Sequence, residues 1–167
     1  MHSNPKPFLH ILFYVFLFAT SVAKSEITNP HVLTLLEQQE PPEGVVFEII
    51  TWQDDAWEWA TPLLTEIHQR LKSKFPDLDI AIVSHGAEQF DLTTSQSVGI
   101  PKEIANLTKL NEAGVNLHVC GTHSSWQDIP DTAYLDIVDV AVSAPAQIND
   151  YIELGYEHIQ LHHPHDN

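Results

Sequence analysis

The sequence predicts an α/β fold: a five-stranded, mostly parallel sheet with helices on both faces, in a flavodoxin- or Rossmann-like three-layer sandwich. Three observations carry this expectation. Short apolar runs rich in β-branched residues recur along the 167-residue chain. Stretches with helical spacing of apolar residues separate them, as βαβ units require. What remains after an N-terminal leader is close to the usual size of one domain.

The leader comes first. Lys6 precedes the apolar run Phe8 to Ala19, and Ser21-Val22-Ala23 ends in small residues, so residues 1–23 read as a signal peptide cleaved after Ala23. The run is shorter than the roughly 20 residues that span a bilayer, and no cysteine follows that could carry a lipid anchor. The expected location is periplasmic, with no membrane attachment after cleavage; an uncleaved anchor is the alternative. Residues 24–43 are polar and broken by Pro41-Pro42. They are expected to form a mobile N-terminal arm with a short helix at 31–39.

The dense run Gly44-Val45-Val46-Phe47-Glu48-Ile49-Ile50 reads as a strand buried on both faces. A helix follows with Leu63, Leu64, Ile67, Leu71 and Phe75 on one face. Either Thr61 caps it with Pro62 in the first turn, or Asp55-x-x-Glu58 caps an earlier turn and Pro62 lies inside. Residues 78–84 form the second strand, closed by His85-Gly86. Residues 87–100 show no period and read as a loop with a short helix. Pro101 opens a helix carrying Ile104, Leu107 and Leu110, and Gly114 ends it. The third strand, 115–119, runs straight into Cys120-Gly121-Thr122-His123. A polar loop with Pro130 and a short helix near 131–135 leads to the fourth strand, 138–142. Ser143-Ala144-Pro145 turns into a helix ending at Gly155, 156–161 is the fifth strand, and 162–167 is a histidine-rich tail.

Ligands of open parallel sheets bind at the carboxyl ends of the strands. Those exits place Trp52, His85, Cys120, Gly121, Thr122, His123 and Ser143 as candidate site residues. Cys120 is the only cysteine, so no intramolecular disulfide forms even in an exported chain. Imidazolium or helix-start N–H groups favour the reactive thiolate form of a cysteine, whereas free cysteines also pack inertly in cores. His85 and His123 could serve the thiol as base or charge partner. Alternatively Cys120, His85 and His123 together could hold a soft metal such as copper or zinc. The tail His162-His163-x-His165 reads as a solvated end, and the sequon Asn106-Leu107-Thr108 falls on a predicted helix.

Charge excludes other classes. Seven Lys and Arg stand against 23 Asp and Glu, a net charge of −16 that argues against nucleic acid or an anionic membrane as partner. Loss of Lys6 with the leader makes it more negative still. No Gly-x-Gly-x-x-Gly follows the first strand, and neither a serine nucleophile elbow nor Cys-x-x-Cys is present.

Gly114-Val115-Asn116-Leu117-His118-Val119-Cys120-Gly121, then Val138-Asp139-Val140-Ala141-Val142-Ser143-Ala144, and finally Gly155-Tyr156-Glu157-His158-Ile159 resemble the DsrE/DsrF-like sulfur-relay family over residues 44–161. The resemblance implies an α/β subunit that assembles as a trimer or hexamer. It also implies that Cys120 accepts sulfur as a persulfide and passes it to a partner protein without a cofactor, acting as a transfer protein rather than a turnover enzyme. The export signal and the Gly121-Thr122-His123 sequence depart from familiar cytoplasmic members. On this reading His123 is the charge partner of Cys120, and His85, Ser143, Trp52, Gly121 and Thr122 line the pocket. A soft-metal module and a non-catalytic oligomeric scaffold are the alternatives.

Overall fold

The computed structural model describes residues 27–163. The signal-peptide reading and His165 fall outside them. The elements, in order, are α1 (Pro30–Glu37), β1 (Gly44–Ile49), α2 (Ala56–Lys74), β2 (Asp79–Ser84), α3 (Pro101–Glu112), β3 (Asn116–Cys120), α4 (Gly121–Trp126), β4 (Asp139–Ala141), α5 (Ala144–Glu153) and β5 (Tyr156–Leu161). Short 3-10 turns lie at Ala87–Leu92, Ser97–Gly99 and Asp131–Ala133. Among the described residues no helix is long and apolar enough to cross a membrane.

All five strands are parallel, in the order β4-β3-β2-β1-β5. Alternation along the strands sorts their side chains onto two faces. Val45, Phe47, Ile49, Ile80, Ile82, Leu117, Val119, Ile159 and Leu161 belong to the larger core. Residues of α1, α2 and α3 complete it, among them Val32, Leu35, Leu64, Ile67, Leu71 and Leu107. The other face carries Val46, Ala81, Val83 and Cys120, covered by Ala144, Ile148 and Tyr151 of α5. The three-layer expectation therefore holds, with the layers unequal: three helices on one side and α5 on the other.

Three details differ from expectation or settle an alternative. Helix α2 begins at Ala56 and takes Pro62 in its interior, so the earlier start is correct. Pro62 removes one helical N–H, a loss that the buried face of Ala56, Trp57, Ala60, Leu63, Leu64 and Ile67 outweighs. The short helix of the presumed mobile arm is present as α1, and it docks. Val32 and Leu35 are fully buried, Asn29 Nδ2 donates to Gln160 O at 3.2 Å, and Lys74 Nζ donates to Leu36 O at 2.6 Å. Finally, the polar stretch after Cys120 coils at once into α4, where a loop was expected.

The aperiodic segment 87–100 has a structural role. Its backbone bonds to the 131–135 turn, with Thr94 N to Ala133 O at 2.8 Å and Leu135 N to Leu92 O at 3.1 Å. Together these segments form a platform at the carboxyl end of β2 and β3.

Candidate functional site

Cys120 is the last residue of β3 and the N-cap of α4. Its main chain is fixed by Gln89, which is fully buried: Cys120 N donates to Gln89 Oε1 at 2.9 Å, and Gln89 Nε2 donates to Cys120 O at 3.4 Å. Ser124 Oγ donates to the same carbonyl at 2.9 Å and meets Tyr134 Oη at 2.7 Å. Burial pushes the Tyr134 hydroxyl above its usual range; its hydrogen bond to Ser124 opposes this, while the Cys120 and Asp131 charges add to it.

The sulfur lies between two helix starts. His123 N, in the first turn of α4, and Ala144 N, the first amide of α5, both donate to Cys120 Sγ at 3.5 Å. Ser143 occupies the N-cap position of α5 and makes no side-chain cap bond, and the sulfur serves the N1 amide, one of the helix-start donors that have no partner within the helix. Cys120 is 6 % exposed. Gly121 is required next to it: a Cβ there would sit 2.9 Å from Ala141 O and 3.2 Å from Val140 Cγ1. Thr122 N and Oγ1 both donate to Val142 O, at 3.1 and 2.8 Å, and tie the β3 and β4 exits together.

The two histidines are placed differently from the sequence expectation. His123 meets the sulfur through its backbone N–H, while its ring nitrogen Nδ1 bonds to His85 O at 3.0 Å. That buried ring is surrounded by Trp52, Phe90 and Trp126 at centroid distances of 5.6, 4.8 and 5.7 Å. His85 supports the site through its carbonyl. Its own ring turns to the sheet face, where Nε2 bonds Glu48 Oε1 at 2.7 Å, and Glu48 Oε2 takes His158 Nε2 at 2.8 Å. Cys120, Gly121, Thr122, His123 and Ser143 thus cluster, Trp52 joins them through the His123 ring, and the His85 imidazole faces elsewhere. Among the described residues no group of three or more His, Cys, Asp or Glu side chains is arranged to hold a metal ion. His162 and His163 line a separate cavity of about 440 Å³ with His31 and His158.

A buried carboxylate holds the β1 and β2 exits. Glu88 accepts from Thr51 N at 3.0 Å, Ser84 Oγ at 2.8 Å and Gly86 N at 2.9 Å. Its own carbonyl takes Trp57 Nε1 at 2.9 Å. Asp91 nearby is raised above the usual carboxylate range, first by burial and then by the charges of Asp54 and Glu88.

No family model and no curated protein sequence matches the chain. Several solved structures match in fold, among them two at low sequence identity. One is a protein of unknown function, MTH1491 from Methanobacterium thermoautotrophicum, at 20% identity and TM-score 0.57, covering 70% of this chain and 97% of its own. The other is the ychN protein from E. coli, at 13% identity and TM-score 0.52, covering 71% of this chain and 99% of its own. The chain shares their fold. Identities at this level speak to architecture and leave the activity to be argued from the site itself.

Sequence reasoning missed Gln89, Glu88, Ser124 and Tyr134. Gln89 and Glu88 sit in the segment without periodicity, and neither residue type signals a role by local pattern. Their partners lie across the sheet exits, so only folding brings them together.

Proposed function

We propose that the chain is an exported sulfur carrier of the periplasm, in which Cys120 holds one sulfur atom as a persulfide. The observation that carries this is the position of Cys120 Sγ at a parallel-strand exit between the amides of His123 and Ala144. Amide donors at helix starts stabilise negative charge, and thiolate and persulfide are both anions. In the transfer step the Cys120 thiolate attacks the terminal sulfane sulfur of a donor persulfide. A new S–S bond forms on Cys120, the donor's S–S bond breaks, and its electron pair leaves on the donor thiolate. The exchange has no net oxidation and requires no cofactor. The resemblance to the DsrE/DsrF-like family and the shared fold support the reading, and the resemblance extends the proposal to a homo-oligomer, trimer or hexamer.

The experiment is intact-mass spectrometry after exposure to polysulfide, with Cys120→Ser as control. Gain of one sulfur atom only when Cys120 is present is the expected result. The low exposure of Cys120 favours one competing reading, a packed thiol in an oligomeric scaffold. A thiol that takes no sulfur and resists alkylation until the protein unfolds would establish that alternative and end the carrier reading.

A further inference from the structure

The carboxyl end of the sheet carries an apolar surface that sulfur chemistry by itself does not use. Trp52 and Trp126 are 70 % and 72 % exposed, and both stand against the His123 ring. Val142, also exposed, is tied into the same end through Thr122. Indoles left in water at this density mark an interaction surface, and tryptophan is among the residues that most often anchor one.

The charge around this surface is mostly negative. Asp54, two residues after Trp52, lies close enough to act on Asp91, which follows Phe90; the buried Glu88 adds to the negative field from beneath. Asp131 lines the shallow depression formed with Gly121, Thr122 and Val142. Most of the described Lys and Arg residues lie near helix C-termini, away from the strand exits. Lys72 and Lys74 end α2, where they bond to Leu78 O and Leu36 O, and Lys109 is in the last turn of α3. Arg70 is in the same C-terminal part of α2, whereas Lys102, in the first turn of α3, is the one described Lys or Arg on the strand-exit side. Helices that follow a parallel strand run back toward the strand starts, so the C-terminal parts of α2 and α3 carry Arg70, Lys72, Lys74 and Lys109 to the opposite end.

We infer that the Trp52 and Trp126 surface docks a partner protein with a cationic rim, which exchanges sulfur with Cys120. The inference rests on the carrier reading for what is exchanged, and on the indoles and the charge distribution for who exchanges it. A second copy of this chain is disfavoured as the occupant, because it would bring an equally acidic end against this one.

The test is NMR shift mapping on isotope-labelled protein with two short peptides that carry serine in place of cysteine, one flanked by lysines and one by glutamates. The lysine peptide is expected to move the indole N–H signals of Trp52 and Trp126. Its affinity should fall about tenfold as salt rises from about 0.05 to 0.5 M, because screening removes most of the attraction. Asp54→Asn with Asp131→Asn should weaken it further, and the glutamate peptide should move neither indole. Immobile indoles at millimolar lysine peptide, or equal responses to both peptides, overturn the inference. So does a change of oligomeric state in Trp52→Ala/Trp126→Ala by sedimentation, which would make a second copy the occupant. Because the peptides lack a thiol, an inert Cys120 sinks the carrier reading and leaves the docking result standing.

Discussion

Replacing Gln89 with leucine should loosen the candidate site by a calculable amount. Gln89 is fully buried, and its Oε1 is the acceptor for Cys120 N at 2.9 Å. Leucine fills nearly the same volume and leaves that buried N–H without its partner, a loss of about 1–3 kcal/mol. The two Nε2 contacts add little, because both are long at 3.4 Å and the Cys120 carbonyl keeps Ser124 Oγ at 2.9 Å. The expected destabilisation is therefore about 2 kcal/mol, or roughly 6–10 °C in Tm for a domain of this size. Gln89→Glu is the informative companion. It keeps an acceptor for Cys120 N but turns a carboxylate oxygen toward Cys120 O in a buried site, so it should cost at least as much. Urea unfolding gives the stability, and the native-state alkylation rate of Cys120 gives the local effect, which should rise in both variants as the end of β3 frays. A Gln89→Leu change under about 0.5 kcal/mol, with unchanged alkylation, would refute the claim that this side chain holds the cysteine in place.

Other outcomes follow from the same geometry. Gly121→Ala should cost about 1–3 kcal/mol in urea unfolding, since its Cβ would press on the Ala141 carbonyl and Val140 side chain, which belong to the neighbouring strand. Glu88→Gln should destabilise by about 2–4 kcal/mol, because an amide group then faces donors at Thr51, Ser84 and Gly86; thermal melts of the variant check this. Stability should fall on mild acidification. The pKa of His118 is lowered from 6.5, chiefly by burial and against the opposing charge of Asp139, and that of His68 is lowered by burial and then by Lys72. The unfolded chain therefore takes up protons at these positions first as pH drops through 6.5, and the stabilisation present above that pH is lost toward the lowered folded values. His118→Gln should flatten the stability profile across that window; an unaltered slope would exclude His118 as a contributor.

The architecture was largely legible in the sequence because its signals are local. Strands buried on both faces show as unbroken apolar runs, as in 44–49, and α3 and α5 are framed by Pro101, Gly114, Pro145 and Gly155. That Cys120 ends a strand was legible for the same reason. Helix α4 was not, because its N-cap is a cysteine rather than Ser, Thr, Asp or Asn, and its residues are weak helix formers. The docking of α1 was hidden because Val32 and Leu35 make a short apolar stripe that only α2, distant in sequence, gives a surface to bury against.

The sequence by itself determined the fold class, the strand exits and the one sulfur atom placed among them. Only the tertiary structure decided what each exit does with its side chains. Gln89 reaches Cys120 across 31 residues and Glu48 reaches His158 across 110, and the His85 ring points to the sheet face while its carbonyl orients His123. Those choices depend on strand order and on which face each residue meets. They are contacts between distant segments, whereas periodicity and capping residues report on a segment's own backbone and burial.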